Sequence, residues 1–473
     1  MRPIFERIVS GTSTAPPGVS KPDDPEIFSD QKRAAKALSD LAQGAGSFHI
    51  APRTRHIFRK LRPALLEWLS KTADPDTTLN QFVRLVEGYG LRSLFFELLV
   101  ANPRLLELVV KTFDASHFAS ELLIRRPQLL EDITRDPTFG EPRSVAENLR
   151  RLDSLGADAN NLDPIRTYRQ RQILRIILRD VLGLIQPAAT FAELSDVAEA
   201  CLIVVAKLLA SEQLTVIALG KFGGREISYG ADLDVLFVGE DVRAAQNLMI
   251  AMAQPTAEGT TWALDARLRP EGEKGPVVCS LETYESYYAG RAQLWELQAL
   301  TRARSISGPW QHEFMEIAKH AWRRAGQDAG LFIKIDDMLQ RIRRDRGRGS
   351  DLLDLKTGAG GIIEAEFLVQ ALQMRGNIWE QNWERAVDRL HQHGRLDKSD
   401  VAKLKDAYAF LRRCELVLRR YDNRSISTLP SDPEQQRKFA IRLAYQEFDA
   451  FRRDYLDARE AIHAIYQQHI TPA

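Results

Sequence analysis

The sequence predicts a mostly helical α+β protein in which a small mixed sheet with its own helices is flanked by N- and C-terminal helical bundles. Helical periodicity dominates from about Phe48 to Ala210 and returns from Trp310 onward. Between these stretches, two short β-branched apolar runs at residues 214–219 and 233–238 bracket a glycine-rich loop. The 473 residues also suffice for about three domains of ordinary size, roughly 150 residues each, with large cores that need no disulfide or metal. The expected division is a flexible leader at 1–46, a helical domain at 47–210, an α+β core at 211–309 and a C-terminal helical domain at 310–473.

Taken in order, residues 1–46 carry Pro16-Pro17-Gly18 and Asp23-Asp24-Pro25, and read as a loose leader with one short helix at 31–41. Leu91, Leu94, Phe95, Leu98 and Leu99 form one helical stripe that should stop before Asn102-Pro103. Asn102 then has the chemistry of an N-cap, with Pro103 in the first helical position of a helix at 104–113. Arg126-Pro127 repeats that punctuation. Ile173, Leu174, Ile176, Ile177 and Val181 mark a long helix whose other face carries Arg171, Arg175 and Arg179, with a break at Gln186-Pro187. The two strands at 214–219 and 233–238 follow, then an amphipathic helix at 242–252 and a third strand at 261–268. The C-terminal helices are interrupted at 356–361 and 427–433.

Composition excludes several function classes. With 65 Lys+Arg against 64 Asp+Glu the formal charge is +1, so neither a general nucleic-acid coat nor a polybasic membrane anchor is expected. Three scattered cysteines, Cys201, Cys279 and Cys414, make neither a disulfide framework nor a Cys-rich zinc site. The N-terminus lacks an apolar signal core, and the most apolar window, 201–210, is short and broken by Lys207. A cytoplasmic protein with no nucleic-acid or membrane partner is expected.

The richest chemistry lies at 220–237. A strand delivers the chain to a turn containing Gly220, Lys221, Gly223 and Gly224, whose backbone N–H groups and ammonium can approach an anion closely. After Gly230 and Ala231 come Asp232 and Asp234, two positions apart, so both carboxylates point to one face of the next strand. Two carboxylates held together repel unless a cation lies between them, and Mg²⁺ is the cation that prefers such oxygen ligands while sharing substrate phosphates. Asp265 on the third strand supplies a third carboxylate, with Arg267 and Arg269 on the same face to neutralise phosphate charge. No G-x-x-x-x-G-K-[ST] run is present, which disfavours a P-loop enzyme. The order of glycine turn, D-x-D and later Asp is that of a polymerase-β-like nucleotidyltransferase. An isolated D-x-D is usually only a solvated strand end. The glycine loop before it and the D-x-R-x-R after it favour the functional reading.

Four long motifs then carry a family resemblance: G-K-F-G-G-R-E-I-S-Y-G-A-D-L-D-V-L-F at 220–237, L-D-A-R-L-R-P at 264–270, L-W-E-L-Q-A-L-T-R-A-R at 294–304, and D-L-K-T-G-A-G-G-I-I-E-A-E-F-L-V-Q at 354–370. Together they closely resemble the glutamine synthetase adenylyltransferase family, and weaker similarity extends the match over residues 47–470. Members usually hold two nucleotidyltransferase units, one transferring AMP from ATP to a tyrosine of glutamine synthetase and one removing it by phosphorolysis. This chain carries one unit, and Y-G-A-D-L-D with W-E-L-Q-A-L-T-R-A-R look more like the adenylylating, C-terminal unit. G-P-V-V at 275–278 and Tyr287-Tyr288 look closer to the deadenylylating one.

The resemblance implies ATP as substrate and Mg²⁺ as cofactor. It makes Asp232, Asp234 and Asp265 the metal-binding and catalytic residues, with glutamine synthetase as protein partner and a PII-type signal protein and glutamine as effectors. Phosphorolytic deadenylylation, or a catalytically weak regulatory binding protein, are the alternatives. Ala231 stands where the family usually has serine, removing a hydroxyl whose hydrogen bond to phosphate would be worth about 1.5–3 kcal/mol. Glu364 and Glu366 match family acids, with Glu364 replacing the usual aspartate; a role beside the metal and a role in pairing arginine are both open.

Other features carry less. Arg341, Arg343, Arg344, Arg346 and Arg348 form a basic cluster read as a solvated helix end in preference to a phosphate or acidic-partner contact. His391 and His393 point to different sides of a helix and make no metal pair. Trp295 and Trp310 are expected in the core or a domain interface.

Overall fold

A computed structural model describes residues 25–44, 51–209, 211, 213–346 and 352–470. Most of the expected leader therefore lies outside the described residues. Its helix does not: Gln31–Gln43 is capped by Asp30, whose carboxylate accepts from Arg33 N–H at 2.9 Å, and it packs Leu38 and Leu41 into the N-terminal core.

The sheet is the hub of the molecule. Its strands β1 (Thr215–Ala218), β2 (Leu233–Val238), β3 (Leu264–Asp265), β4 (Val278–Cys279) and β5 (Arg304–Ser307) run in the order β3-β2-β1-β5, with β4 also paired to β2. β1 is antiparallel to β2 and β5, whereas β2 is parallel to β3 and β4, so the sheet is mixed. Period-two alternation divides it between two cores. Val216, Ala218, Leu233, Val235 and Phe237 face the N-terminal helices, while Ile217, Leu219, Leu236 and Val238 face the C-terminal ones. Both faces are buried, which is why these strands read as continuous apolar runs.

Several elements depart from expectation for identifiable reasons. The third strand is only two residues long, because the chain turns at once after Asp265: Arg269 donates to the carbonyls of Ala266, Gly275 and Glu273 and holds a compact loop. β4 and β5 carry no strand signal of their own and exist through pairing with β2 and β1. Asn102 does precede a helix, Pro103–Ala115, but its side chain makes no cap there; Nδ2 instead donates to Leu98 O of the preceding helix at 2.9 Å. In that preceding helix, Arg92–Ala101, the core face is Phe95, Phe96 and Leu99, and Leu91 and Leu94 are exposed.

The arginine face of Asp163–Val181 is partly buried. Arg175 and Arg179 are buried and both pair with Glu193 from the helix Pro187–Leu208. A single carboxylate thus compensates two buried guanidinium groups, aided by the carbonyls of Phe139, Glu141 and Gly140.

The N- and C-terminal helices also touch each other directly. Lys438 meets Asp74 at 2.6 Å, Ser116 Oγ donates to Arg420 O at 2.8 Å, and Arg420 pairs with Asp180 at 2.8 Å. The two expected interruptions meet as well: Leu355 N–H donates to Ser427 O at 2.9 Å and Leu429 N–H to Leu353 O at 2.8 Å. That junction sets the start of the helix Ile362–Gly376, which carries Glu364 and Glu366. Among the described residues, the cysteines are free and buried, and no helix is long and apolar enough to cross a membrane.

Candidate functional site

β1 ends in a single helical turn, Gly220–Gly223, instead of an open loop. Gly220 sits at φ +52°, and a Cβ there would lie 2.1 Å from Asp234 Oδ2, so only glycine lets the carboxylate pack against the turn. Gly223 has the backbone of Arg302 against it, where a Cβ would fall 1.8 Å from the carbonyl oxygen. Gly224 ends the turn, Gly230 abuts the Arg424 backbone, and half-buried Ala231 donates its N–H to Ser228 O at 3.3 Å.

Asp232 is exposed just before β2, and Asp234 is the strand's second residue. Parallel register sets Asp234 directly beside Asp265, the last residue of β3. Asp234 shares its parity with Leu236 and Val238, so it faces the C-terminal helices. Burial, reinforced by the charges of Asp265 and Asp232 and opposed by Lys221 and Lys356, raises its carboxyl to about 6. Asp265 goes the other way: burial raises it, but Arg267 overrides that and holds it below the usual range. Arg267 Nε lies 2.9 Å from both Asp265 oxygens. Arg269, by contrast, is engaged with the loop carbonyls.

Behind the turn lies a buried ionic network joining it to the C-terminal helices. Lys221 Nζ is 2.6 Å from Glu366, which also accepts from Tyr408 Oη at 2.9 Å and approaches Arg302 at 3.5 Å. Arg302 pairs with buried Glu226, which accepts in addition from Trp383 N–H at 2.6 Å and Asn382 Nδ2 at 3.0 Å. Glu415 is shared by Arg412, Arg419 at 3.1 Å and Lys356 at 3.9 Å. Burial would raise Glu366, but Lys221 and Arg302 hold it well below the ordinary carboxylate range. Burial lowers Lys356 to about 8, with Glu415 pulling it back up. The surplus of cations in this cluster faces the anionic aspartates and suits a polyanion between them.

A cavity of about 450 Å³ opens from Gly220 and Lys221 between the sheet and the C-terminal helices. Trp295, Leu268, Phe367 and Ile342 form apolar walls, and Gln298 and Gln370 are polar groups within it.

The donor chemistry fits a hard divalent cation. Asp234 and Asp265 lie side by side at one sheet end with Asp232 two residues before Asp234, and the charge on Asp234 lacks a compensating hydrogen-bonded partner among the described residues. As they stand, no three or more His, Cys, Asp or Glu side chains among the described residues form a metal-holding group. Asp265 is turned onto Arg267.

Of the sequence-level candidates, the structure brings together the turn, Lys221, Asp234, Asp265 and Glu366. Glu364 is elsewhere: buried, it accepts from Gly360 N–H and pairs with Arg343 and, at 2.8 Å, with His463. Arg343 thus turns inward, Arg341 remains exposed at the cavity, and Arg348 lies outside the described residues. His391 binds Leu396 O at 2.9 Å and lies in the helix that His393 ends. Trp310 packs on the C-terminal core, but Trp295 is 39% exposed and lines the cavity instead. Lys356, Arg302 and Gln298 were not singled out from sequence, although each lies within a conspicuous motif, at 354–370 or 294–304.

Residues 106–317 match the family model described as glutamate-ammonia ligase adenylyltransferase. Residues 334–470 match the model described as GlnD PII-uridylyltransferase. Curated relatives named bifunctional glutamine synthetase adenylyltransferase/adenylyl-removing enzyme include one from Streptomyces avermitilis, 32% identical over 80% of this chain and 41% of the relative. Another, from Caulobacter vibrioides, is 32% identical over 82% of this chain and 43% of the relative. A third, from Rhodopseudomonas palustris, is 28% identical over 88% of this chain and 47% of the relative. The chain therefore spans less than half the length of these relatives.

Proposed function

The chain belongs to the glutamate-ammonia ligase adenylyltransferase family, and on that premise we propose that it is an ATP-dependent nucleotidyltransferase that transfers AMP to a tyrosine hydroxyl of glutamine synthetase. The carrying observation is the direct pairing of Asp234 with Asp265 across β2 and β3, against the Gly220 turn and within the field of the Lys221 charge. This arrangement supports the reading of residues 211–309 as a polymerase-β-like nucleotidyltransferase core held between helical domains at 47–210 and 310–473.

Asp232, Asp234 and Asp265 would hold Mg²⁺. When bound, that ion supplies charge neutralisation at the reacting phosphate and lowers the pKa of a nearby hydroxyl. The protein's own groups do the rest. The backbone N–H groups of Gly220 and Lys221, at the start of the turn, cradle the triphosphate, and Gly230 and Ala231 set the approach to the aspartates. Those of Gly223 and Gly224, expected from sequence to do the same, instead close the turn on Leu219 O at 2.7 Å and Gly220 O at 3.2 Å. Lys221 and Lys356 offset the β- and γ-phosphate charge. Arg267 neutralises the departing pyrophosphate when it leaves Asp265, and Arg269 holds the loop that presents it. Asp265, freed from Arg267, accepts the tyrosine proton as the hydroxyl attacks the α-phosphorus in line and pyrophosphate leaves from the opposite side. Glu366 keeps Lys221 in place, and Glu364 anchors its helix to Arg343. Control by a PII-type protein is part of the same proposal, and the C-terminal match to the GlnD PII-uridylyltransferase model supports it. Control by glutamine is proposed on the family resemblance alone.

Incubation with α-labelled ATP, Mg²⁺ and glutamine synthetase tests this reading. A parallel tube supplies adenylylated synthetase and phosphate. Label on the synthetase, lost in Asp234→Ala, is the expected result. ADP release in the second tube alone would replace the proposal with phosphorolytic removal, and synthetase binding without either reaction would leave a regulatory role.

A further inference from the structure

We propose that the cavity beside Gly220 is the purine pocket of this chain, and that Gln298 selects adenine by accepting a hydrogen bond from its 6-amino group. The inference rests on the nucleotidyltransferase reading above and adds where the adenine of ATP is bound and which side chain selects it.

Three observations carry it. The cavity is continuous with the turn assigned to the triphosphate, since Gly220 and Lys221 line it together with Trp295 and Phe367. At about 450 Å³ it has the size and apolar character of a small-molecule site. Trp295 is 39% exposed there, although large aromatic side chains ordinarily bury, and a flat aromatic face open to a cavity is what a purine ring stacks on.

The third observation is an unmatched acceptor. Gln298 is 2% exposed, and its amide nitrogen donates to Gln370 Oε1 at 2.8 Å, which fixes the amide's orientation. Its Oε1 is buried with no hydrogen-bond partner. An unpaired buried acceptor is unfavourable, and such a group in a ligand cavity is relieved by a ligand N–H. Adenine offers its exocyclic amine. Guanine and hypoxanthine present a carbonyl oxygen at the same ring position, which would leave two acceptors facing each other. A site built around a polar partner rejects a ligand lacking it far more strongly than an apolar pocket rejects a changed methylene.

The test is equilibrium binding by calorimetry to the whole chain in Mg²⁺. The probes are inorganic tripolyphosphate, ATP, purine riboside triphosphate (which lacks the 6-substituent) and inosine triphosphate. ATP should bind at least about tenfold tighter than purine riboside triphosphate, with inosine triphosphate weaker still, consistent with loss of one buried hydrogen bond and then an added repulsion. Trp295→Ala should bring ATP down to the level of tripolyphosphate while leaving tripolyphosphate itself unchanged. Three nucleotides of equal affinity, or ATP binding indifferent to Trp295→Ala, would overturn the purine pocket while leaving a triphosphate site intact. Failure of both ATP and tripolyphosphate to bind would overturn the nucleotidyltransferase reading, and this inference with it.

Discussion

Replacing Asp234 with Asn should stabilise the metal-free protein while abolishing its activity. Asp234 faces Asp265 across the parallel strand pair, and burial with that neighbouring charge lifts its carboxyl from 3.8 to about 6. An acid whose folded-state pKa exceeds its unfolded value contributes stability that is fully present below about pH 4. That contribution is lost as pH rises through about 6. Two pKa units correspond to about 3 kcal/mol, and partial solvent access at the strand end reduces this to about 2 kcal/mol. Asn keeps the shape and carries no charge, so its stability should not fall over the same window. Urea unfolding in chelator should give coincident midpoints at pH 4 and a more stable Asp234→Asn protein at pH 7.5. Adding Mg²⁺ at tenfold excess over its dissociation constant should then recover about 1.4 kcal/mol in the wild type alone. Parallel pH profiles for the two proteins, or equal stabilisation of both by Mg²⁺, would refute the argument.

The ionic network makes its own demands. Glu226→Ala leaves Arg302 buried without its closest partner and should destabilise by about 3–5 kcal/mol, whereas the double replacement Glu226→Leu with Arg302→Met should recover most of that in a thermal-unfolding cycle. Gly220→Ala would drive a methyl group into Asp234 at a backbone conformation alanine disfavours, so AMP transfer should fall by at least about tenfold while unfolding changes by only about 1–3 kcal/mol. Lys356 loses its proton near pH 8, so tripolyphosphate affinity should decline by about three- to tenfold between pH 7 and pH 9, and Lys356→Met should flatten that decline.

The parts of this molecule legible in the sequence are those whose reasons are local. β2 and the helix Val242–Ala253 emerge where hydrophobic pattern places them, and the glycine turn is marked by residues that no other conformation requires. The register of Asp234 with Asp265 is not local, but their presence on neighbouring strands follows from motif order. What escaped is set by distant partners. β5 begins with Arg304 and contains two serines, so nothing in it signals a strand until β1 lies alongside. Arg175 and Arg179 have the spacing of a solvated face, and only Glu193 on the next helix explains their burial. Leu91 and Leu94 match a core stripe with Phe95 and Leu99 by period, yet the neighbouring helices cover Phe95 and Leu99 together with Phe96 and leave the two leucines exposed. In the site, Trp295 looked like packing because a tryptophan ordinarily is. Its exposure to a cavity shared with Lys221 depends on where five separate segments meet.

The intact mass of glutamine synthetase after incubation with this chain, ATP and Mg²⁺ tests the central claim most directly. The account predicts an increase of one AMP per modified subunit, mapped by fragmentation to a tyrosine, and no increase with Asp234→Asn. An unchanged mass with active chain, or an equal increase with Asp234→Asn, would contradict it.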